Sequence, residues 1–362
     1  MTKILLYKGN EEDVLKVYES VKSIGIVYGY KKSDNEIKFD FISGASELPL
    51  DVTTTQRPGY YRINAGFGFV HSFQSPKNFL YPPRTDIAIV TENLYVEVLE
   101  NNIKSVVLFG VKPCDLAAIR VFDELFASNF NPYYFNRRRG IAGIVVEECL
   151  YPSETCFCGS VGTGPDVTDG FDLAFARIDR DFVLFKVGSS FGKIIVNKLR
   201  LERANESDVG VYRKLVEEAK KKTSIGISVE DMQKALSISI PNEHLWRKLS
   251  EKCLGCANCN MVCPTCFCTE IVDEIENDRS RRIAQWIGCL SYIYGLVAGG
   301  HFRKELYTRY RHFVLHKFLF YPKQTGLLGC VGCGRCIVWC PVGIDIRETI
   351  KSVVNEYGEK HG

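Results

Sequence analysis

Short apolar runs and helical stripes alternate along the first two thirds of the chain. Residues 3–7 form an apolar run of strand length, and Val14, Leu15, Val17, Val21 and Ile24 mark a helix over 11–24. Residues 26–30 and 36–42 flank Ser33-Asp34-Asn35, the composition of a hairpin turn. Residues 43–90 show no period and predict irregular structure with short strands. Val106–Val111 is a Val-rich run of the kind buried on both faces of a parallel sheet. A helical stripe follows at Leu116, Ile119, Phe122, Leu125 and Phe126, with Asp115 as the expected N-cap. A second buried-type strand at 141–146 completes a βαβ unit, right-handed by default. A hairpin is expected over 171–178 and 182–187, and charged helices over 207–223 and 228–239. Beyond residue 240 the pattern reads as helices at 270–279, 280–298 and 302–319.

The fold expected from this pattern has two parts. Residues 1–240 form an α/β domain with a partly parallel sheet, and 241–362 form an α-helical two-cluster ferredoxin domain with a helical insertion. The second part follows from its cysteines. Cys253-x2-Cys256-x2-Cys259-x3-Cys263-Pro264 and Cys330-x2-Cys333-x2-Cys336-x3-Cys340-Pro341 repeat one spacing, that of bacterial two-cluster ferredoxins. Three thiolates two residues apart can cap three corners of a cubane from one loop. The fourth Cys has left the loop and serves the other cluster. The expected ligands are Cys253, Cys256, Cys259 and Cys340 for one [4Fe–4S] cluster, and Cys330, Cys333, Cys336 and Cys263 for the other. Structural zinc sites pair two CxxC units without a third cysteine and a Cys-Pro. Disulfides need an exporting route.

Composition narrows the function. The chain carries 15 cysteines, and the N-terminus has too short an apolar run for a signal peptide, so metal ligation in a cytoplasmic protein is expected. No run nears the length of a spanning helix. A net charge of +3 is too small to argue for nucleic acid or an anionic membrane. Neither a dinucleotide fingerprint nor a P-loop is present, and no nucleophile–base pair of a hydrolase stands out.

Seven cysteines remain. Cys114 and Cys149 fall just beyond the carboxyl ends of the two parallel strands, where open α/β sheets bind ligands. With Cys156 and Cys158 they form a quartet able to hold a third cluster. A zinc site and buried packing thiols are the other readings of the same four. Cys266, Cys268 and Cys289 read as packing residues, a surrogate ligand or a redox-active thiol. His301 reads as a helix cap or as a hydrogen-bond partner of a cluster sulfide or of a partner's cofactor. Arg309, Arg311, His312, His316 and Lys317 read as a solvated basic face or as a docking face for an acidic partner.

The whole set resembles the iron–sulfur β subunit of soluble sulfhydrogenase-type [NiFe] hydrogenases, and more distantly the first subunit of anaerobic sulfite reductase. The resemblance spans nearly the whole chain. It is carried by Ser75-Pro-Lys-Asn-Phe-Leu-Tyr-Pro-Pro-Arg84, Gly110-Val-Lys-Pro-Cys114-Asp-Leu116, Thr155-Cys-Phe-Cys158, Gly170-Phe-Asp-Leu173, Cys263-Pro-Thr-Cys-Phe-Cys268, Ala298-Gly-Gly-His301, Gly329-Cys-Val-Gly-Cys-Gly-Arg-Cys336 and Cys340-Pro-Val-Gly-Ile-Asp345. One departure is His301-Phe302-Arg303, where the family places an Asn after the His. The resemblance implies a non-catalytic electron-transfer subunit that wires an NAD(P)H-linked flavoprotein to the hydrogenase small and large subunits. It also implies that Cys114, Cys149, Cys156 and Cys158 hold an additional cluster. Two other functions fit the same residues. One is a relay subunit for sulfite, heterodisulfide or other sulfur reduction. The other is a catalytic thiol or sulfur reductase that uses the N-terminal quartet itself.

Overall fold

The computed structural model describes residues 5–34, 36–91, 96–97, 105–128, 131–276 and 279–358. Residues 3–4 of the first expected strand and Asn35 of the expected turn lie outside that set.

An eight-stranded mixed sheet organises the N-terminal part. Its strands run in the spatial order Glu202–Arg203, Leu5–Gly9, Val183–Val187, Leu173–Arg177, Ile141–Glu147, Val106–Val111, Ile26–Lys32 and Ile37–Phe41. The four neighbouring strands from Leu173–Arg177 to Ile26–Lys32 are parallel, with Leu108 opposite Ile144, and the remaining pairings are antiparallel. Val106–Val111 is buried at every position because helices or loops cover both faces of the sheet. One face packs on the helix Pro113–Ser128 through Ile119, Phe122 and Leu125. The other packs on Glu11–Lys22 through Val14, Val17 and Val21. Asn10 closes a capping box on that second helix, with its side chain on the Asp13 N–H and the Asp13 carboxylate on the Asn10 N–H.

Asp115 is not an N-cap. It is the third residue of Pro113–Ser128, fully buried, and accepts from the Lys112 N–H at 3.3 Å and from the Tyr30 hydroxyl. Proline opens this helix, which its fixed φ and missing N–H suit. The strand–helix–strand unit sets Cys114 in the first turn after one parallel strand and Cys149 two residues after the next.

The expected helical insertion is corrected over its first two segments. Among the described residues, 270–279 and 280–298 hold no α-helix: Thr269–Glu276 and Arg279–Trp286 form a hairpin, and a short 3-10 turn follows at Ile293–Gly295. Arg84–Val90 from the N-terminal part pairs with it to extend the sheet. Charged side chains of the hairpin pair across strands. Asp273 lies opposite Arg282 and accepts from it twice at 2.8 Å, and Asp86 accepts twice from Arg281 at 2.7 and 2.8 Å. The third segment is helical as Leu306–Leu315, widens into a π turn at His316–Phe320 and ends at Tyr321–Thr325.

A second core joins Met232, Leu236 and Trp246 to Phe313, Phe318, Ile337 and Ile350. The helix Val229–Ser239 contributes to it from before residue 240, and Phe157 from the middle of the N-terminal part. Among the described residues no helix is long and apolar enough to cross a membrane.

Candidate metal centres

The two ferredoxin-type loops follow the same backbone path. Each turns through the left-handed region on either side of its second cysteine: φ is +65° at Gly255 and +60° at Ala257, and +60° at Gly332 and +78° at Gly334. Glycine takes this conformation freely and alanine at a cost of roughly 1 kcal/mol. The second loop also lies closer to its neighbour. A Cβ on Gly332 would stand 2.6 Å from the Cys158 nitrogen, and one on Gly334 2.5 Å from the Thr155 carbonyl oxygen.

The fourth cysteines cross over. Cys340 lies in electrostatic reach of Cys253 and Cys259, and Cys256 stands beside the same two. Together these four line one cavity with Leu254, Tyr310 and Ile344. Cys263 lies among Cys330, Cys333 and Cys336. Backbone N–H groups face several of the sulfurs: Gly255 donates to Cys253 Sγ at 3.4 Å and Ile344 to Cys340 Sγ at 3.3 Å. Gly332 and Arg335 donate to Cys330 and Cys333. Donors aimed at sulfur suit thiolates that carry charge.

The N-terminal quartet also gathers. Cys149 lies beside Cys158, Cys156 and Cys114. Burial pushes all four thiols up, Cys149 to about 12 and Cys158 to about 11, with Cys114 and Cys156 well above the ordinary range. Such thiols ionise on meeting a metal rather than alone. The quartet abuts the second ferredoxin loop. The Phe157 N–H donates to the Gly332 carbonyl at 2.7 Å, Thr163 Oγ1 donates to the Val331 carbonyl at 2.7 Å, and Cys114 packs with Val331 and Cys333. The quartets are loosely spaced: among the described residues no three His, Cys, Asp or Glu side chains converge on a single-ion position.

Arg335 and His71 fix this junction, and neither stands out in the sequence. Arg335 is fully buried inside the second motif. Its guanidinium donates to the Ser72 carbonyl at 2.8 Å and to the Tyr30 hydroxyl at 2.6 Å, and stands 2.9 Å from the fully buried Asp115 carboxylate. Burial and the nearby Arg335 hold His71 well below the usual histidine range, so its neutral ring donates from Nε2 to the Cys333 carbonyl at 2.6 Å. Deeper in the sheet Glu147 bridges Lys112 at 2.7 Å and Arg177 at 2.9 Å.

Cys266, Cys268 and Cys289 share a small cavity with Asn260, His316 and Lys317. The Asn260 amide nitrogen donates to Cys289 Sγ at 3.3 Å and to Cys266 Sγ at 3.5 Å. Cys266 donates to Cys263 and the Lys317 ammonium stands beside it, which holds Cys263 well below the ordinary thiol range. The expected basic face is not one surface. Lys317 and Arg309 are buried, and Arg309 donates to the Leu290 carbonyl at 2.6 Å. His312 stacks on His316 with centroids 5.2 Å apart. His301 caps no helix. It sits at the end of a two-stranded turn, its Nε2 2.6 Å from the Tyr292 carbonyl and its Nδ1 accepting from the Arg303 N–H.

Residues 252–344 match the family model of the 4Fe-4S dicluster domain. A chain of the F420-reducing [NiFe] hydrogenase complex of Methanosarcina barkeri, solved as a xenon derivative, superposes with a TM-score of 0.36. It shares 10% identity and covers 66% of this chain and 93% of its own. The sulfhydrogenase 2 subunit beta of Pyrococcus furiosus is 33% identical over 340 residues, 93% of this chain and 94% of that protein. On that extent of identity the chain belongs to the sulfhydrogenase β-subunit family.

Proposed function

We propose that this chain is the iron–sulfur electron-transfer subunit of a hydrogenase complex, placed between an NAD(P)H-linked flavoprotein and the [NiFe] module. The exchange of Cys263 and Cys340 between the two loops carries the reading. Cys253, Cys256, Cys259 and Cys340 hold one [4Fe–4S] cluster, and Cys330, Cys333, Cys336 and Cys263 hold the second. Cys114, Cys149, Cys156 and Cys158 hold a third, at the carboxyl end of the parallel strands and against the second loop. Clusters of this kind supply one-electron redox stations. The protein's part is to seat them and to insulate them. Leu254, Leu290, Tyr310 and Phe313 wall the first quartet, while Arg335 ties the second loop to Tyr30 of the sheet and His71 holds it from the segment before Ser72. The working division is 1–240 for the α/β part and 241–362 for the ferredoxin part.

The turn around residues 292–302 offers a partner an apolar face. Phe302 is 79% exposed there, beside the exposed Ile293, Leu296 and Val297. A catalytic thiol reductase using the N-terminal quartet is the weaker reading. Burial raises those thiols, whereas an attacking thiol needs its pKa lowered.

The test is iron and acid-labile sulfide per chain on anaerobically prepared protein, with electron paramagnetic resonance after reduction. About twelve irons support three clusters. About eight would confine the clusters to the ferredoxin loops, and zinc without sulfide would refute the reading.

A further inference from the structure

Lys77 and Lys317 are both buried, each 3% exposed. Among the described residues neither ammonium meets a carboxylate. Lys317 Nζ donates to Cys263 Sγ at 3.1 Å and Cys266 Sγ at 3.4 Å. Lys77 Nζ donates to the Met261 and Cys266 carbonyls at 3.1 and 3.3 Å, and lies 3.5 Å from the centroid of the Trp286 ring. The two cations also oppose each other electrostatically. Buried charges of one sign are retained where an anion faces them. The anion here is Cys263 Sγ, a thiolate under the ligand assignment above. The π turn at His316–Phe320 aims Lys317 at it, and wide turns of this kind recur at functional sites.

Among the described residues no lysine or arginine side chain donates to a sulfur of the first quartet. Apolar side chains wall it, and Arg309, the buried cation that faces Cys253, donates to the Leu290 carbonyl rather than to a sulfur. Reduction adds a negative charge to a cluster, and an ammonium on a ligand sulfur favours the reduced form. We infer that Lys317, supported by Lys77, makes the cluster held by Cys330, Cys333, Cys336 and Cys263 the higher-potential member of the ferredoxin pair, where an electron comes to rest. This rests on the ligand assignment above. Lys317 is a positioning residue acting through Cys263 Sγ.

The experiment is a potentiometric titration of the cluster-loaded full chain, followed by electron paramagnetic resonance. The first cluster's signal is identified as the one that Cys256→Ser alters. In Lys317→Met, the reduced-to-oxidised ratio of the second cluster at the wild-type midpoint is expected to fall at least tenfold, about 59 mV for one electron, with the first cluster unmoved. Lys317→Arg keeps most of the wild-type value, and Lys77→Met shifts it the same way by less. An unmoved second midpoint in an iron-replete Lys317→Met protein, or equal shifts of both clusters, would overturn the inference. If Lys317→Met fails to load iron, Lys77→Met decides, and an unmoved midpoint there overturns it as well. A wild-type chain with no pair of cubane signals would instead remove the ligand assignment.

Discussion

Replacing Arg335 with Met removes the cation that faces Asp115 across the junction, and the structure sets the scale of the loss. Both side chains are fully buried, 2.9 Å apart. The guanidinium also satisfies the Ser72 carbonyl and the Tyr30 hydroxyl. Breaking one side of a buried pair costs about 3–5 kcal/mol, because the remaining charge stays unpaired away from water. Asp115 keeps the Tyr30 hydroxyl and the Lys112 N–H. The lost bond to Ser72 adds to the cost, but it does not add independently to an effect at the same site. For a chain of 362 residues that unfolds as a unit, the loss corresponds to a drop of about 4–7 °C in midpoint. The assay is anaerobic thermal unfolding of cluster-loaded Arg335→Met, Asp115→Asn and the double variant. The double variant is expected to be less destabilised than the two single effects combined, because each single variant already breaks the pair. A loss below about 1 kcal/mol in Arg335→Met, or strictly additive losses, would refute a pair that holds the junction.

Other expectations follow from the same geometry. Gly334→Ala meets both a φ of +78° and the Thr155 carbonyl at 2.5 Å, so it is expected to cost about 2–4 kcal/mol in unfolding free energy, whereas Ala257→Gly is near neutral. Equal effects at the two sites would contradict the close approach. Burial and nearby cations hold His312 down to about 4 and His316 down to about 3. The unfolded chain therefore takes up protons below about 6.5 that the folded chain refuses, and stability falls as pH drops from about 6.5 toward those values. Denaturant midpoints between pH 7.5 and 5 should show this fall and lose much of it in His312→Gln/His316→Gln; an unchanged slope in that variant would count against neutral histidines. Cys158→Ser is expected to lower iron by about four per chain, while Cys268→Ser leaves the count unchanged.

The ferredoxin loops are legible in the sequence because the three cysteines of each C-x2-C-x2-C run lie within a few residues, so chemistry and spacing are local. The parallel strands are legible for a similar reason. Val106–Val111 is apolar throughout, and a run buried on both faces needs no partner to be recognised. The hairpin Thr269–Trp286 reads as helix in sequence because its meaning lies elsewhere in the chain. The pairing of Thr269–Glu276 with Arg279–Trp286, and of Arg84–Val90 alongside from a distant part of the chain, makes this stretch a sheet. Asp115 has the composition of a cap, yet Tyr30 and Arg335, both distant in sequence, claim its carboxylate. Lys317 falls on a basic face when the helix is taken as regular, and a π turn rotates it inward onto Cys263.

Residue types and short spacings thus carry the cluster chemistry and the strands of the central sheet, since both depend on neighbours within one or two turns. The tertiary structure alone decides which cation faces a sulfur. It also decides how the N-terminal quartet meets the second motif. These depend on groups as far apart as Asp115 and Arg335, or Lys77 and Cys266, whose proximity is set by packing and by the cost of leaving a buried charge alone.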